Sequence, residues 1–423
     1  MMMKGKLVFV LTVLVFLFSQ LETVEGQDRD DYVDQAKRIL EEVPLIDGHN
    51  DVPWQYRRRV DNHLDSIDLA QSTKELDPPM HTDLARLREG RVGGQFWSVY
   101  IPSSIVGEEA VQTTMEQVDF VYRMTDRYSD DLEMAYTADD VRRIHENGKI
   151  ASLIGMEGGH SINNSLAVLR MFYEMGARYM TLTHADNPDW ADAATDDPEF
   201  NGLNEFGEEV VREMNRLGML VDLSHVSAET MHDALDVTRA PVIFSHSSAY
   251  GLVDHPRNVP DDVLERTAEN NGLVMITFVT SFVSNEMRQY NADRSARAGE
   301  LNALYPDDPD RRSELMDEWE EENPLPLPDI YDVADHIDYV KDKIGVEYVG
   351  IGGDYDGITL LPEGLEDVST YPDLFAELLS RGYTEEELKK IAGLNALRVM
   401  EDVEEVAREL ENEEASDMRL EDE

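Results

Sequence analysis

Short apolar runs recur along the chain, each closing on glycine or a polar side chain and each followed by a stretch with helical spacing. The first is Val43, Leu45 and Ile46, which stops at Asp47-Gly48. Seven more occupy residues 94–100, 150–157, 179–184, 219–225, 241–246, 272–278 and 348–354. Between them lie amphipathic segments. Residues 31–42 place Val33, Ala36, Ile39 and Leu40 on one face, and 165–175, 205–217 and 228–237 behave alike. Continuous apolar runs suit strands buried on both faces, as in a parallel sheet. Eight such strands alternating with helices predict βαβ units closed into a (β/α)8 TIM-like barrel. An open doubly wound sheet is the alternative, and no Gly-rich phosphate loop follows the first run to support it.

Polar stretches complete the layout. Residues 284–336 are charged and punctuated by Asn323-Pro324-Leu325-Pro326-Leu327-Pro328, which predicts a helical insertion before the last strand. Thr384-Glu385-Glu386-Glu387 is a capping-box pattern opening a helix through Ile391. The barrel is expected over residues 27–400, with an acidic helix and a frayed tail over 401–423. At the other end, Lys4 and Lys6 precede an apolar run from Leu7 to Phe18 and a small, polar stretch to Gly26. Residues 1–26 therefore read as a secretory signal, with a secreted mature chain beginning near Gln27. The alternative is an uncleaved amino-terminal tether, although the run is short against the roughly 20 apolar residues of a spanning helix. The charged end from Asp417 to Glu423 offers no tail for a glycolipid anchor.

Composition narrows the chemistry. A net charge of −52 over 423 residues excludes nucleic acid and anionic membrane surfaces as partners. Its even spread points to an acidic surface, and to stability that rises with salt. With no cysteine, there are no disulfides, no thiol nucleophile and no thiolate ligand. Asn163-Asn164-Ser165 is a sequon that offers Asn163 for glycosylation in a eukaryotic host.

The candidate chemistry lies at the carboxyl ends of the runs. His49, Asp51, Glu157, His184, His225, His246 and Asp354 all occupy such ends, and in this fold those ends share one rim. In extended backbone His49 and Asp51, two residues apart, would face the same side. Imidazoles and carboxylates together suit zinc, and a carboxylate such as Glu157 is able to bridge two ions. The glycines around Glu157 are expected to clear space for that bridge. His63, His81, His145, His160, His232, His255 and His336 fall in helices or loops, where solvated or capping roles are expected.

Seven motifs in order give the chain a resemblance to the membrane (renal) dipeptidase family of zinc peptidases. They are Asp47-Gly48-His49-Asn50-Asp51, Gly155-Met156-Glu157-Gly158-Gly159-His160, Leu182-Thr183-His184, Asp222-Leu223-Ser224-His225, Ser245-His246-Ser247-Ser248-Ala249-Tyr250, Arg257-Asn258-Val259-Pro260-Asp261 and Gly352-Gly353-Asp354-Tyr355-Asp356-Gly357. The resemblance covers residues 36–400. It implies dipeptide substrates, two Zn2+ per chain and a homodimer. It assigns His49 and Asp51 to one zinc, His225 and His246 to the other, and Glu157 to both. It further implies attack by a metal-bridging hydroxide that Asp354 orients and whose proton it relays, an oxyanion beside His184, and a substrate carboxylate on Arg257. An arginine's planar, permanently charged fork suits that last task. Vertebrate members use disulfides and a glycolipid anchor, which this chain has no cysteines or tail to supply. They also carry a substrate-binding tyrosine where this chain has Val279. Two rival readings remain beside it. One is another binuclear amidohydrolase-type barrel acting on a non-peptide amide or lactam, which would typically open with His-x-His. The other is a secreted barrel that binds without catalysis, although no ligand of the set is missing.

Overall fold

The strand-like runs pair as expected, and the way they close decides where their ends point. The structure, a computed structural model, describes residues 29–420; the expected signal, residues 1–26, lies outside the described residues. Nine strands are labelled in chain order: β1 (Leu45–Asn50), β2 (Val92–Ser98), β3 (Leu132–Met134), β4 (Ile150–Glu157), β5 (Ala177–Thr181), β6 (Leu220–Asp222), β7 (Ile243–Ser247), β8 (Leu273–Ile276) and β9 (Val349–Ile351). All pairings are parallel, in the order β2-β1-β9-β8-β7-β6-β5-β4-β3, and a further β2–β4 pairing closes the ring. Eight strands thus form the (β/α)8 barrel. The ninth, β3, was not foreseen. It pairs only with the first residues of β4, 150–152, below the point where β5 takes over that edge at Ile154.

Alternation along each strand sorts side chains between two cores. In β4, Ile150, Ile154 and Met156 face the helices, whereas Ala151 and Leu153 face the barrel axis. Ile46, Phe96, Tyr179, Leu220, Ile243 and Met275 fill the axis with them, and Leu397 and Met400 of helix Asn395–Glu409 close the floor. Burying each large apolar side chain contributes about 1.5–3 kcal/mol. With the axis filled below, only the carboxyl end remains for chemistry.

The expected insertion is helical and lies between β8 and β9, over Asn285–Leu304, Pro309–Glu322 and Ile330–Ile344. The first of these buries only Met287 and Leu301, and the second buries nothing. The Tyr290 and Trp319 rings, 5.4 Å apart, and an Arg294–Glu320 pair at 2.8 Å hold them together as a hairpin. The capping box at Thr384 and Glu387 forms as predicted. Its helix does not stop at Ile391; a π turn at Lys390–Leu394 carries it into Asn395–Glu409. Gly393 lies in that turn, where an added Cβ would fall 2.1 Å from the Pro44 carbonyl oxygen. The tail does not fray at once, because Arg170 donates to the Ser416 carbonyl and Arg419 bridges Ser165. Among the described residues, no helix is long and apolar enough to cross a membrane.

Candidate active site

All eight residues singled out from the sequence meet at the carboxyl rim. Glu157 stands at the centre, at the inward-facing end of β4. Its Oε2 lies 3.4 Å from His49 Nε2 and accepts from Ser98 Oγ at 3.2 Å. Its Oε1 lies 3.0 Å from His225 Nε2, 3.5 Å from His246 Nε2 and 3.8 Å from His184 Nε2. The two carboxylate oxygens therefore address two different groups of side chains. Asp51 Oδ2 sits 3.1 Å from His49 Nε2 on the first side.

His49 and Asp51 converge for a reason other than simple alternation. Asp47 pairs with Gln95 and Asn50 with Trp97, so β1 carries one extra residue there, a bulge that turns His49 inward. Asp51 is already outside the strand, at φ −98° and ψ 26°, and precedes helix Val52–Val60. Its side chain makes no capping bond to that helix, which leaves the carboxylate to the site. Two other site residues adopt left-handed backbone, His225 at φ 71° and Asp354 at φ 60°. For non-glycine residues that conformation is unfavourable by about 1–2 kcal/mol, and here it aims functional groups at the rim. Gly357 makes room for the last of them. A Cβ there would fall 2.3 Å from Asp354 Oδ1 and 2.4 Å from Asp51 Oδ2.

Buried carboxylates brace the strand ends from behind. Asp47 accepts from the His49 and Gly353 backbone N–H groups, from Gln95 and from the Tyr371 hydroxyl, tying β1 to β2 and β9. Asp222 repeats this across β5, β6 and β7, accepting from Thr181, Ser224 and Ser245. None of these partners was legible as functional. The glycines near Glu157 also serve a purpose other than the one expected. Gly155 clears space for the ring of Tyr179, which a Cβ would meet at 2.0 Å.

The electrostatics of the cluster call for added positive charge. Asp51, Glu157 and Asp354 are all buried, and Arg257 is the permanent cation that lines the cleft with them. Burial alone would raise Glu157, but His49, His225 and His184 outweigh it and hold the carboxyl well below its usual range. Asp354 moves the other way. Burial, reinforced by Asp51 and Glu157 against His49 and Arg257, pushes it well above. Burial also keeps His225 and His246 neutral, and their Nε2 atoms face each other at 3.0 Å. His49 Nε2 and Asp51 Oδ1 are buried without a hydrogen-bond partner. Such orphans are costly unless something else satisfies them. Three overlapping sets have ligand atoms within 4.8 Å of one another: His49/Glu157/His246, Glu157/His184/His225 and His49/Asp51/Asp354. These donors are what divalent cations take, so the residues fit the metals expected from the sequence.

Above the cluster is a cleft of about 270 Å³. Trp54, Tyr100, Val279, Phe282 and Ile358 form apolar walls, and Arg257 and His184 reach in from the sides. Val279 does line the cleft at the position where a tyrosine was expected. Arg257 is only 4% exposed, forms no ion pair among the described residues, and lies with its guanidinium 5.3 Å from the Phe282 ring. Long contacts of 3.4 Å to Ser247 Oγ and the His246 carbonyl leave it donors to spare. Burial lowers it to about 10, so it is cationic at neutral pH. Trp54, Tyr100 and Phe282 went unnoticed in the sequence. Tyr100 ends an apolar run, and Trp54 and Phe282 each fall three residues after a rim residue, Asp51 and Val279.

His336, for which a solvated or capping role was expected, is buried. It is 1% exposed, accepts from the Ala249 N–H at 3.0 Å, and also bonds the Val283 backbone. It thereby joins the β7 loop to the helix bearing Phe282. His81 likewise exchanges bonds with Asp356, accepting from its N–H at 2.9 Å while its own N–H donates to the carboxylate at 2.8 Å.

Known proteins are similar to this chain in sequence and in fold. A dipeptidase from Clonostachys rogersoniana, verJ, is 41% identical over 392 residues, covering 90% of this chain and 89% of its own. The probable dipeptidase PvdM from Pseudomonas aeruginosa superposes with a TM-score of 0.73 at 23% identity, over 89% of this chain and 100% of that one. A metallopeptidase from Rhodobacter sphaeroides, solved with a phosphinate mimic of the dipeptide L-Ala-D-Ala, gives 0.70 at 23% identity, over 85% and 99%. The sequence model described as membrane dipeptidase (peptidase family M19) matches residues 33–414. The chain therefore belongs to the membrane dipeptidase family, peptidase family M19, and so to the metallopeptidases.

Proposed function

We propose that this protein is a zinc-dependent dipeptidase that uses two cations. His49 and Asp51 would hold one, His225 and His246 the other, and Glu157 both. The observation that carries this reading is the division of Glu157, with Oε2 toward His49 and Oε1 toward His225 and His246. When bound, a pair of zinc ions supplies a water of lowered pKa and neutralises charge on the scissile carbonyl oxygen.

The chain's own groups do the rest. Asp354, whose carboxyl is pushed up by burial, is poised to take and return a proton at the attacking water and the leaving amine. His184 is neutral because burial lowers it, and it offers an N–H donor where the carbonyl oxygen gains charge. Arg257 receives the substrate's terminal carboxylate, and the aromatic walls exclude water. A cleft of about 270 Å³ with one buried guanidinium suits a small substrate carrying one free carboxylate. That favours a dipeptide over a neutral amide or lactam.

Metal analysis combined with a dipeptide panel tests the reading. About two zinc ions per chain are expected, with hydrolysis abolished by a strong chelator and restored by zinc. Full activity in protein holding only trace metal would refute it. The basic-then-apolar start, Lys4 to Phe18, supports export as part of the same proposal. Mass spectrometry of the mature chain should then find an amino terminus near Gln27 rather than Met1.

A further inference from the structure

A ligand imidazole is held with one nitrogen bare for a metal when its other nitrogen donates to a fixed partner. On the His246 side that commitment is visible. Ser245 Oγ donates to Asp222 Oδ2 at 2.6 Å, so its lone pair accepts the His246 Nδ1 proton at 2.8 Å. The His246 Nε2 lone pair is thereby left facing Glu157. On the His49 side the partner comes from across the barrel. Tyr179 Oη, on β5, donates to the Gly48 carbonyl at 3.1 Å and lies 2.9 Å from His49 Nδ1. With the phenol proton committed to a carbonyl, the oxygen accepts the Nδ1 proton. His49 Nε2 is then left bare, and it is one of the orphaned buried atoms of the site.

The arrangement is built rather than incidental. Tyr179 is fully buried, and its ring packs against Phe96 at 5.1 Å. It enters the space above Gly155, where any Cβ would collide with it. Packing alone would be served equally by phenylalanine, so the hydroxyl needs a separate explanation. We infer that Tyr179 is a positioning residue that sets the affinity of the cation held by His49 and Asp51. The cation on His225 and His246 depends instead on Ser245 and Asp222. This rests on the two-cation reading above and adds to it a division of the supporting residues between the two ions.

Cobalt titration of metal-free protein, followed by visible absorption and by metal content after dialysis, tests the division. Wild type should take two equivalents. Tyr179→Phe should retain one and bind the second 10–100-fold more weakly, the usual range for loss of such a partner. Ser245→Ala should show the mirror image, losing affinity at the other ion with a different absorption change. Nitrogen NMR of wild type, which needs no variant to fold, should find His49 protonated at Nδ1. Two cations bound by Tyr179→Phe with affinities within twofold of wild type would overturn the inference, as would a His49 bare at Nδ1. A wild type that never binds two equivalents would instead overturn the function proposed above.

Discussion

Asp51, Glu157 and Asp354 at the barrel rim are each less than a tenth exposed, whereas Asp310, Glu314, Asp317, Glu318 and Glu321 on helix Pro309–Glu322 all face solvent. Sequence composition counts these carboxylates alike toward the charge of −52. Physically they have little in common. On the hairpin, water and ions screen each charge. At the rim, burial removes that screening, so a neighbouring imidazole or guanidinium decides the protonation state. Glu157 is held down by histidines against its burial, and Asp354 is driven up by burial with the neighbouring carboxylates. Of the 89 acidic groups, these three line the cleft, where burial and neighbouring charges set their protonation.

Neutralising one carboxylate in each region gives the sharpest test. Glu157→Gln keeps shape but removes the charge facing both sets of ligands, so kcat should fall at least about 10³-fold, with metal content falling too. Glu318→Gln on the hairpin should change kcat less than twofold. Comparable losses in the two variants would break the comparison.

Arg257 should show the next largest effect, as the buried cation of the cleft. A charge-assisted bond to a substrate carboxylate contributes about 1.5–3 kcal/mol. Arg257→Ala should accordingly lower kcat/KM for free dipeptides by roughly 10–100-fold. The preference for a free dipeptide over its amide should largely disappear with it. Equal rates of the unmutated enzyme on dipeptides, dipeptide amides and tripeptides would remove Arg257 from this role.

His336 extends the comparison to stability. Burial lowers it from its ordinary 6.5 to about 4. Between those values the unfolded chain binds the proton and the folded chain does not, so stability falls as pH drops through this window. The His336 share is at most about 3 kcal/mol. Urea unfolding at pH 7 and pH 4.5 should show a smaller acid-induced loss in His336→Gln than in wild type. Identical losses would mean that the imidazole titrates freely in the folded state.

The smallest effects belong to the hairpin. Raising sodium chloride from low to molar concentration should increase Tm, because counterions relieve repulsion among exposed carboxylates. Replacing Glu314, Glu318 and Glu321 together by glutamine should flatten that response slightly, each change being worth within about 0.5 kcal/mol. A Tm independent of salt would mean that the surface charge is already dispersed.

Much of this was legible because parallel barrels write their chemistry locally. A strand buried on both faces is a continuous apolar run, and the polar residue ending it sits on the rim. His49, Glu157, His184, His225, His246 and Asp354 could therefore be placed before any contact was known. The short β3 escaped notice because Leu132-Glu133-Met134 has too few residues to form a pattern, and half of β4 already supplies its edge. His336 escaped because a histidine among Asp335 and Asp338 looks solvated until the β7 loop is folded over it.

By itself, then, the sequence determined the order of strands and helices, the side chains offered at the rim and the metal-type chemistry they support. These follow from alternation and periodicity, which act over a few neighbouring residues. Only the tertiary structure decided that a bulge, rather than plain alternation, turns His49 inward toward Asp51. It also decided that Gly155 makes way for Tyr179, and that Tyr179 reaches His49 across 130 positions of chain. Such contacts join strands that are neighbours only once the barrel has closed, and a one-residue shift in pairing would send each side chain to the opposite face.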